Sequence, residues 1–242
     1  MEPLPESILR DVFTSVLSVR DAGRVAICCR RLRRESPDLL MRGLDVPSSF
    51  VRYYALRKLQ TIEPRKRAQY VGRVVPALGD DVDDVAYEAS QLLSSLSPTD
   101  LVEHASDIMA MLEHGHADHV LNVVCFLPPP SIAEHATAIA AKLEDRSDKW
   151  VRKAALWALF RLDPVPLHSY FATFVEALDD PDEDVRHAAQ CCIERYIEGL
   201  APAALIASYN ELRLAGDHRS AEVLEEKMDE LGIDAWPIDG DY

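Results

Sequence analysis

The sequence predicts an all-α protein made of repeated helical hairpins, and three observations support this fold class. An apolar pattern recurs at spacings of 34, 35, 31 and 34 residues, anchored on Val51, Val85, Val120, Val151 and Val185. In most repeats, apolar residues follow the valine four, eight and eleven positions later, on one stripe of an α-helix. The 242 residues also contain nine glycines and fifteen prolines. This balance suits helices separated by proline and argues against a glycine-rich phosphate-binding fold.

The second helix of each repeat follows from this stripe. Position four after the valine holds a small or branched apolar residue: Ala55, Ala89, Val124, Ala155 and Ala189. Position eight holds a larger one in four repeats: Leu59, Leu93, Leu159 and Ile193. The third repeat has three consecutive prolines there, at 128–130, which explains its shorter spacing. In three repeats, proline thirteen residues after the valine is expected to stop the helix, at Pro64, Pro98 and Pro164.

A first helix precedes each valine. Its last apolar residue lies seven or eight positions earlier, at Leu44, Leu78, Leu112, Leu143 and Leu178. Four residues before those stand Leu40, Val74, Ile108, Ile139 and Phe174. The turn between the two helices is rich in Asp and Glu, as in residues 179–184. These carboxylates are expected to cap helix N-termini, and a further role in attracting a basic partner stays open.

The sequence of two of these turns resembles a known family. Residues 179–189 read Asp-Asp-Pro-Asp-Glu-Asp-Val-Arg-His-Ala-Ala, and residues 148–156 read Asp-Lys-Trp-Val-Arg-Lys-Ala-Ala-Leu. Both resemble HEAT repeats, and Arg52, Arg152 and Arg186 fill the arginine position, from which Ala86 and Leu121 depart. The resemblance implies a right-handed α-solenoid of about five helical hairpins over residues 43–200. A capping helical hairpin is expected at 201–232 and a flexible tail at 233–242.

The first 42 residues carry a different pattern. Leu4-Pro5 is followed by Ile8-Leu9, by Val12-Phe13 and, after Arg20-Asp21, by residues 25–31, Val-Ala-Ile-Cys-Cys-Arg-Arg. This order resembles an F-box, a three-helix module that docks a Skp-family linker protein of an SCF-type cullin-RING ubiquitin ligase. The resemblance implies a linker contact set of Leu4, Pro5, Ile8, Leu9, Val12, Phe13, Val25 and Cys29. Alternatively, these residues form an ordinary cap over the first repeat.

Charge and cysteine content narrow the classes of function. Residues 1–73 carry a formal charge of +7 and residues 74–242 carry −22, which gives −15 for the chain. Because phosphate contacts require cations, tight nucleic-acid binding by the acidic part is not expected. Five cysteines without a Cys-x-x-Cys spacing favour a reducing compartment. Without a visible signal peptide or membrane-length apolar run, the expected location is cytoplasm or nucleus.

A row of aromatic and basic residues predicts where a target protein binds. Positions two, six and nine after each valine point away from the stripe and are expected to line the concave surface. They supply Tyr53, Arg57, Tyr87, Phe126, Lys153, Trp157, Phe160 and His187, with Gln91, Asn122 and Cys191 between them. Aromatic and arginine side chains dominate the energetics of many protein interfaces. The alternative is that the rings are wedged between neighbouring repeats as part of the core.

No pattern in the sequence predicts catalysis, a cofactor or a resident metal. His114, His116 and His119 are the most metal-like group, but they fall in one predicted turn and are expected to form a solvated loop. Iron-holding HEAT-repeat hydroxylases use His-Glu dipeptides, and this chain has only the reverse order. Adjacent Cys191 and Cys192 face different ways on a helix, which argues against a bilin-lyase thiol site.

The functional hypothesis is therefore a non-catalytic, substrate-recruiting adaptor of an SCF-type ligase. In this hypothesis the F-box docks the Skp-family linker, and the HEAT surface binds a protein substrate, which the acidic charge suggests is basic. No nucleic acid or membrane partner is expected. The main alternative is a protein-interaction scaffold without a role in ubiquitin transfer. A HEAT-like bilin lyase or metal-dependent hydroxylase is the least favoured alternative.

Overall fold

The computed structural model describes residues 37–233, and within this range all regular secondary structure is helical. The chain divides into two compact units, one ending at Phe126 and the other beginning at Leu127. The described part of each unit consists of three helical hairpins. The all-α fold class and the helix–turn–helix order of the repeats are thus confirmed. No helix within residues 37–233 is both long and apolar enough to cross a membrane.

The first unit contains eight α-helices within residues 37–126. They are α1 Pro37–Gly43, α2 Ser49–Leu59, α3 Pro64–Arg67, α4 Val71–Val74, α5 Asp83–Ser94, α6 Pro98–Leu101, α7 Ala105–Ala110 and α8 Ala117–Val124. Short 3-10 segments continue the first-helix layer: Ala68–Tyr70, Val75–Gly79, Val102–His104 and Met111–Glu113. The second helices of the hairpins pack side by side, α2 on α5 and α5 on α8.

The second unit contains seven α-helices within residues 127–233. They are α9 Pro129–Ala141, α10 Lys149–Phe160, α11 Pro164–Leu167, α12 Phe171–Ala177, α13 Glu183–Glu198, α14 Pro202–Ala215 and α15 His218–Glu230. The 3-10 segments are Lys142–Glu144 and His168–Tyr170. Here α10 packs on α13, and α14 packs on α15. The expected C-terminal hairpin is α14 with α15, and α15 also contacts α12.

The repeated valine stripe forms the core of each unit. All five anchor valines are buried, and so are the residues four positions later. The matching first-helix residues are also buried: Leu40, Val74, Ile108, Ile139 and Phe174. Each fully buried apolar side chain of this size contributes about 1.5–3 kcal/mol. The 34-residue pattern therefore predicts the core because each hairpin buries its apolar face against its neighbours.

The prolines begin helices rather than interrupt them. Helices α2, α5 and α10 end four or five residues before Pro64, Pro98 and Pro164, and these prolines are the first residues of α3, α6 and α11. Proline suits the first helical position because its missing N–H has no intrahelical partner there. The expectation that they stop the preceding helix is corrected accordingly: they mark the start of the next hairpin.

The arginine of the HEAT-like turn connects successive hairpins. In the first unit, the Arg52 guanidinium donates to both carboxylate oxygens of Asp80, at 2.6 and 2.8 Å, and to the Pro47 carbonyl at 2.8 Å. Arg186 in the second unit donates only to backbone carbonyls of its own turn, those of Asp180 and Pro181. The contact to the next hairpin thus depends on an aspartate 28 residues after the arginine.

The acidic turns cap helices, but capping is not their only role. Asp148 accepts from the backbone N–H of Trp150 at 2.8 Å, and Asp182 accepts from that of Asp184 at 3.0 Å. Such side-chain caps satisfy donors that the first helical turn leaves free. Asp80 accepts from the Val82 N–H and at the same time binds Arg52. The expectation of capping alone is therefore too simple for this aspartate.

Candidate functional site

The linker contact set predicted from the F-box-like sequence lies outside the described residues. This applies to Leu4, Pro5, Ile8, Leu9, Val12, Phe13, Val25 and Cys29. Docking of a Skp-family linker by these residues stays a prediction.

None of the eight residues predicted to bind a target protein is buried. Four are exposed: Arg57, Tyr87, Phe126 and His187. Four are half-buried: Tyr53, Lys153, Trp157 and Phe160. Tyr87 and Phe126 leave 47% and 44% of their surfaces open to solvent, which is unusual for large aromatic residues. Target binding by the eight residues stays a prediction, and the rings of Tyr87 and Phe126 are accessible to a partner.

In the first unit, Arg57 is already engaged by a buried carboxylate. Glu88 on α5 is only 4% exposed, and its oxygens accept from Arg57 at 3.1 Å and from the Gln60 amide at 2.9 Å. The hydrogen bond and charge of Glu88 raise the pKa of Arg57. Sequence reasoning missed Glu88, although a carboxylate three positions after Val85 lies at the edge of the apolar stripe. Arg57 thus connects α2 to α5.

In the second unit, Trp157 and Phe160 form one wall of a groove. Their rings meet edge to face with centroids 5.4 Å apart. The Arg195 guanidinium from α13 lies over the Phe160 ring, 5.0 Å from its centroid, while its Nε donates to the Leu162 carbonyl at 3.2 Å. The groove has a volume of about 460 Å³ and is also lined by Pro164, Cys191, Glu194, Glu198 and Gly199.

The composition of this groove suits a side chain that is apolar along its length and positively charged at its end. Trp157 and Phe160 supply aromatic surface to its lining, and α13 supplies Glu194 and Glu198 together with Arg195. The Lys153 ammonium, which is also in the predicted row, binds Asp184 at 2.9 Å. Glu194 accepts from Gln190 at 2.8 Å and keeps its second oxygen for another donor.

Trp150 is the other tryptophan of α10. It is 54% exposed, and the ammonium groups of Lys149 and Lys153 lie 5.1 and 5.4 Å from its ring centroid. Trp150 is thus an exposed tryptophan at the start of α10, and it does not line the groove. Trp150 therefore provides an internal comparison for any role of Trp157.

A wider cavity of about 910 Å³ lies between the first-helix layers of the second unit. Thr137 on α9, Thr173 on α12 and the turn around Asp180 contribute to its lining. Its one aromatic lining residue is Tyr170, and two of its charged side chains, Arg152 and Asp180, bind each other. The narrower groove at Trp157 therefore offers more contact chemistry to a partner.

The histidines of residues 114–119 do not form the solvated loop expected from the sequence. The His119 ring is buried, and its Nε2 lies 3.0 Å from Oδ1 of Asp83 on α5. The Nδ1 atom of His116 lies 3.0 Å from the same oxygen, and the two rings stack with centroids 5.8 Å apart. His114 lies apart from them, against Gly79. Packing of α8 on α5 supplies Asp83, which sequence spacing alone did not reveal.

The buried histidine of this cluster has a carboxylate at each ring nitrogen. Its Nδ1 lies 3.1 Å from Oδ2 of Asp118, opposite the contact with Asp83. Burial acts against protonation of His119, but the hydrogen bonds and charges of Asp118 and Asp83 outweigh it and raise its pKa. Burial raises the pKa of Asp118, but the contacts of Asp118 with His119 outweigh burial and lower this pKa below its ordinary value. Asp83, His116 and His119 can together offer three ligand atoms to a cation.

The comparisons with known proteins identify the fold. No protein-family model matches the chain, and no curated protein matches it significantly. Among solved structures, an archaeal HEAT-like repeats protein from Thermococcus onnurineus NA1 is 14% identical with a TM-score of 0.52, over 95% of this chain and 99% of its own. A designed armadillo repeat protein is also 14% identical, with a TM-score of 0.51, over 78% of this chain and 99% of its own. The chain thus has the fold of HEAT and armadillo repeat proteins.

Proposed function

We propose that this chain is a non-catalytic protein-binding scaffold whose groove at Trp157 holds a basic segment of a partner protein. The observation that carries this proposal is the aromatic and acidic groove formed by α10 and α13. Trp157 and Phe160 supply apolar surface there, and Glu194 and Glu198 supply negative charge. Repeat folds offer such extended surfaces for partner binding because each hairpin adds similar positions in register.

The groove residues are packed against one another, which limits the conformational entropy lost when a partner binds. Phe160 is held between Trp157 and Arg195, so the aromatic wall is ordered before a partner arrives. A preorganised site loses less conformational entropy on association than a mobile one. The partner segment is therefore expected to insert one or two side chains between fixed walls, with Trp157 as the main contact.

The charge distribution favours a basic partner. Residues 127–233 hold twenty Asp or Glu against eleven Lys or Arg, and several of these cations are paired with nearby aspartates. Complementary charge accelerates encounter and disfavours acidic proteins, and these effects weaken as salt is added. In a segment with Lys or Arg next to an apolar residue, the apolar side chain can contact Trp157 and Phe160, and the cation can bind Glu194 or Glu198.

Selection from a displayed library of random linear peptides tests this proposal. Enriched peptides are expected to contain Lys or Arg next to an aromatic or aliphatic residue. Binding of one such peptide, measured by fluorescence anisotropy, should weaken at least tenfold in Trp157→Ala, because interface tryptophans often contribute 2 kcal/mol or more. Glu194→Gln with Glu198→Gln should weaken it further and reduce its salt dependence.

Trp150→Ala is the matched control because Trp150 is exposed on the same helix but does not line the groove. It should leave peptide affinity within about twofold. Equal binding by wild type and Trp157→Ala would refute the groove assignment, as would selection of acidic peptides. Circular dichroism of each variant separates lost binding from lost fold.

A finer form of the proposal is that the scaffold recruits a substrate to an SCF-type ubiquitin ligase. This form rests on the sequence pattern of residues 3–42 alone, of which residues 3–36 lie outside the described part of the chain. In it, the basic N-terminal segment docks a Skp-family linker while the repeats hold the substrate.

Co-purification with a recombinant Skp-family linker distinguishes the two forms. The adaptor form requires wild-type chain to capture the linker and Leu4→Ala/Pro5→Ala to lose it. If wild type captures none while peptide binding at Trp157 persists, the chain is a scaffold without a connection to ubiquitin transfer.

A further inference from the structure

We propose that Asp83, His116 and His119 form a binding site for a divalent transition-metal ion, with Zn²⁺ as the best match. The proposed ligand atoms are Oδ1 of Asp83, Nδ1 of His116 and Nε2 of His119, all within 4.8 Å of one another. Two imidazoles with one carboxylate are a ligand set that Zn²⁺ uses in proteins. This site is distinct from the groove of the proposed function and does not depend on it.

The distance from the Asp83 oxygen to each histidine nitrogen is close to the distance between two ligand atoms in a filled site. Both nitrogens lie 3.0 Å from the same carboxylate oxygen. Ligands bound at about 2.0–2.1 Å in a tetrahedron stand about 3.3 Å apart, so small side-chain rotations are sufficient to admit the ion. Three protein ligands leave the fourth position for water.

A second carboxylate holds the His119 ring in the orientation that the site requires. Asp118 contacts Nδ1 of His119 at 3.1 Å, on the side of the ring away from Asp83. A carboxylate at the far nitrogen of a ligating histidine fixes the ring, keeps that nitrogen protonated and raises the basicity of the nitrogen that binds metal. His119 is buried, so this orientation is held by packing as well as by the hydrogen bond.

The backbone at His116 has an uncommon conformation that accompanies the cluster. His116 is the residue before α8 and has φ of 63° and ψ of 43°, the left-handed region. Among the described residues other than glycine, it alone has a positive φ. Such conformations cost about 1 kcal/mol or more and concentrate at functional sites. Here it occurs at the residue whose ring stacks on His119 and faces Asp83.

The surrounding charge favours a cation. Residues 74–126 contain ten Asp or Glu and no Lys or Arg. Arg52 and Arg57 bind Asp80, Asp81 and Glu88 rather than Asp83. Arg67 donates to the Ser95 hydroxyl. Asp83 is therefore available to a metal ion, and the ion would connect α5 to α8. Neighbouring hairpins of the first unit would then be cross-linked by a metal as well as by apolar packing.

Calorimetric titration of the metal-free full-length chain with ZnCl₂ tests the site. His116→Ala and His119→Ala are each expected to remove one equivalent of bound Zn²⁺. Asp118→Asn is expected to weaken its binding 10- to 100-fold, as for other residues behind a ligating histidine. Titration with Co²⁺ should give visible absorption of a low-coordinate site in wild type that His116→Ala lacks.

His114→Ala is the matched control because His114 lies in the same loop but outside the cluster. His187→Ala is a second control, because Nε2 of His187 lies 3.8 Å from the Cys191 sulfur and could hold a metal elsewhere. Both variants should retain the equivalent that His116→Ala loses. Wild type without saturable Zn²⁺ binding, or equal loss in His114→Ala, would overturn the proposal. If His119→Ala proves unstable, His116→Ala still tests the site, because His116 is only half-buried.

Discussion

Gly199, at the end of α13, lies directly against Pro164 at the start of α11. A Cβ atom at position 199 would come within 2.0 Å of the Pro164 Cγ and 2.7 Å of its Cβ. The backbone of Gly199 has φ of −85°, which any residue adopts. Space, and not backbone conformation, therefore requires glycine here. The contact lets the last turn of one second helix approach the beginning of its own hairpin.

Gly199→Ala should therefore destabilise the protein. The added methyl group must displace α13 from α11, and we expect a loss of about 2–3 kcal/mol in the free energy of unfolding. Chemical denaturation monitored by circular dichroism measures this. Gly115→Ala is the control, since its Cβ meets nothing within 4 Å, and it should stay within about 0.5 kcal/mol of wild type.

The Arg152–Asp180 pair predicts a defined dependence of stability on pH. The Arg152 guanidinium donates to both Asp180 oxygens, at 2.6 and 2.9 Å, and both side chains are nearly buried. The hydrogen bond from Arg152 lowers the pKa of Asp180 below its ordinary value. Because the folded pKa is the lower one, this stabilisation is present above about pH 4 and is lost as pH falls through the folded pKa.

Arg152→Gln should accordingly cost about 3 kcal/mol at pH 7, because it leaves a buried carboxylate without its partner. The difference from wild type should shrink steadily below about pH 4, as Asp180 becomes protonated in both proteins. Urea denaturation at a series of pH values measures it. A difference that stays constant from pH 7 to pH 2 would contradict the assignment.

Arg186→Gln supplies the comparison at the equivalent position of the next hairpin. Arg186 donates to the Asp180 and Pro181 carbonyls, and the residue 28 positions later is Leu214, which is exposed. Without a carboxylate partner there, the variant should cost about 1 kcal/mol. The loss in the free energy of unfolding caused by Arg186→Gln should stay constant between pH 3 and pH 7, whereas the loss caused by Arg152→Gln should shrink at low pH.

Tyr196→Phe tests the polar contact inside the second unit. The buried Tyr196 hydroxyl donates to Ser208 Oγ at 2.7 Å and lies 2.9 Å from His168 Nδ1. Removing it takes one hydrogen bond from Ser208 Oγ, which still donates to the Ala204 carbonyl, and one contact from His168 Nδ1. This loss should cost about 1–2 kcal/mol. Tyr170→Phe removes a hydroxyl that has an exposed, 3.4 Å contact to Thr137, and it should change the free energy of unfolding by less than about 0.5 kcal/mol. Equal losses in the two variants would contradict this account.

The adjacent thiols of α13 should differ in reactivity. Cys192 is buried, donates to the Leu156 carbonyl at 3.3 Å, and has a pKa raised by burial. Cys191 is partly exposed, and its pKa is also raised, by burial and by the charge of Glu194. When the native protein is labelled with a thiol reagent, Cys191 should react slowly and Cys192 should not react. Cys191→Ser should therefore take up one reagent molecule fewer than wild type, and Cys192→Ser should take up the same number. Loss of an equivalent in Cys192→Ser would mean that α13 is oriented differently.

The aromatic row was predictable in part. The position of Trp157 relative to the valine stripe predicts that its ring points away from the core, and it is indeed only half-buried. The groove also needs Arg195 and Glu198, which come from α13 and depend on how α13 packs against α10. Arg57 likewise depends on helix packing. Its position in the sequence predicted a residue that binds a target, but in the structure its guanidinium donates to Glu88 of α5.

The repeat, its helices and its buried apolar residues could be predicted from the amino-acid sequence. Val85 and Ala89 are buried because residues four apart share a helix face, and that property is local. The contacts of Asp83 with His119, 36 residues away, and of Arg152 with Asp180 could be found only in the folded chain. Those contacts depend on the stacking of successive hairpins, where helix ends and turn lengths shift side chains by several ångströms. Periodicity predicts which face packs, whereas hydrogen bonding and metal ligation require atoms within about 3 Å.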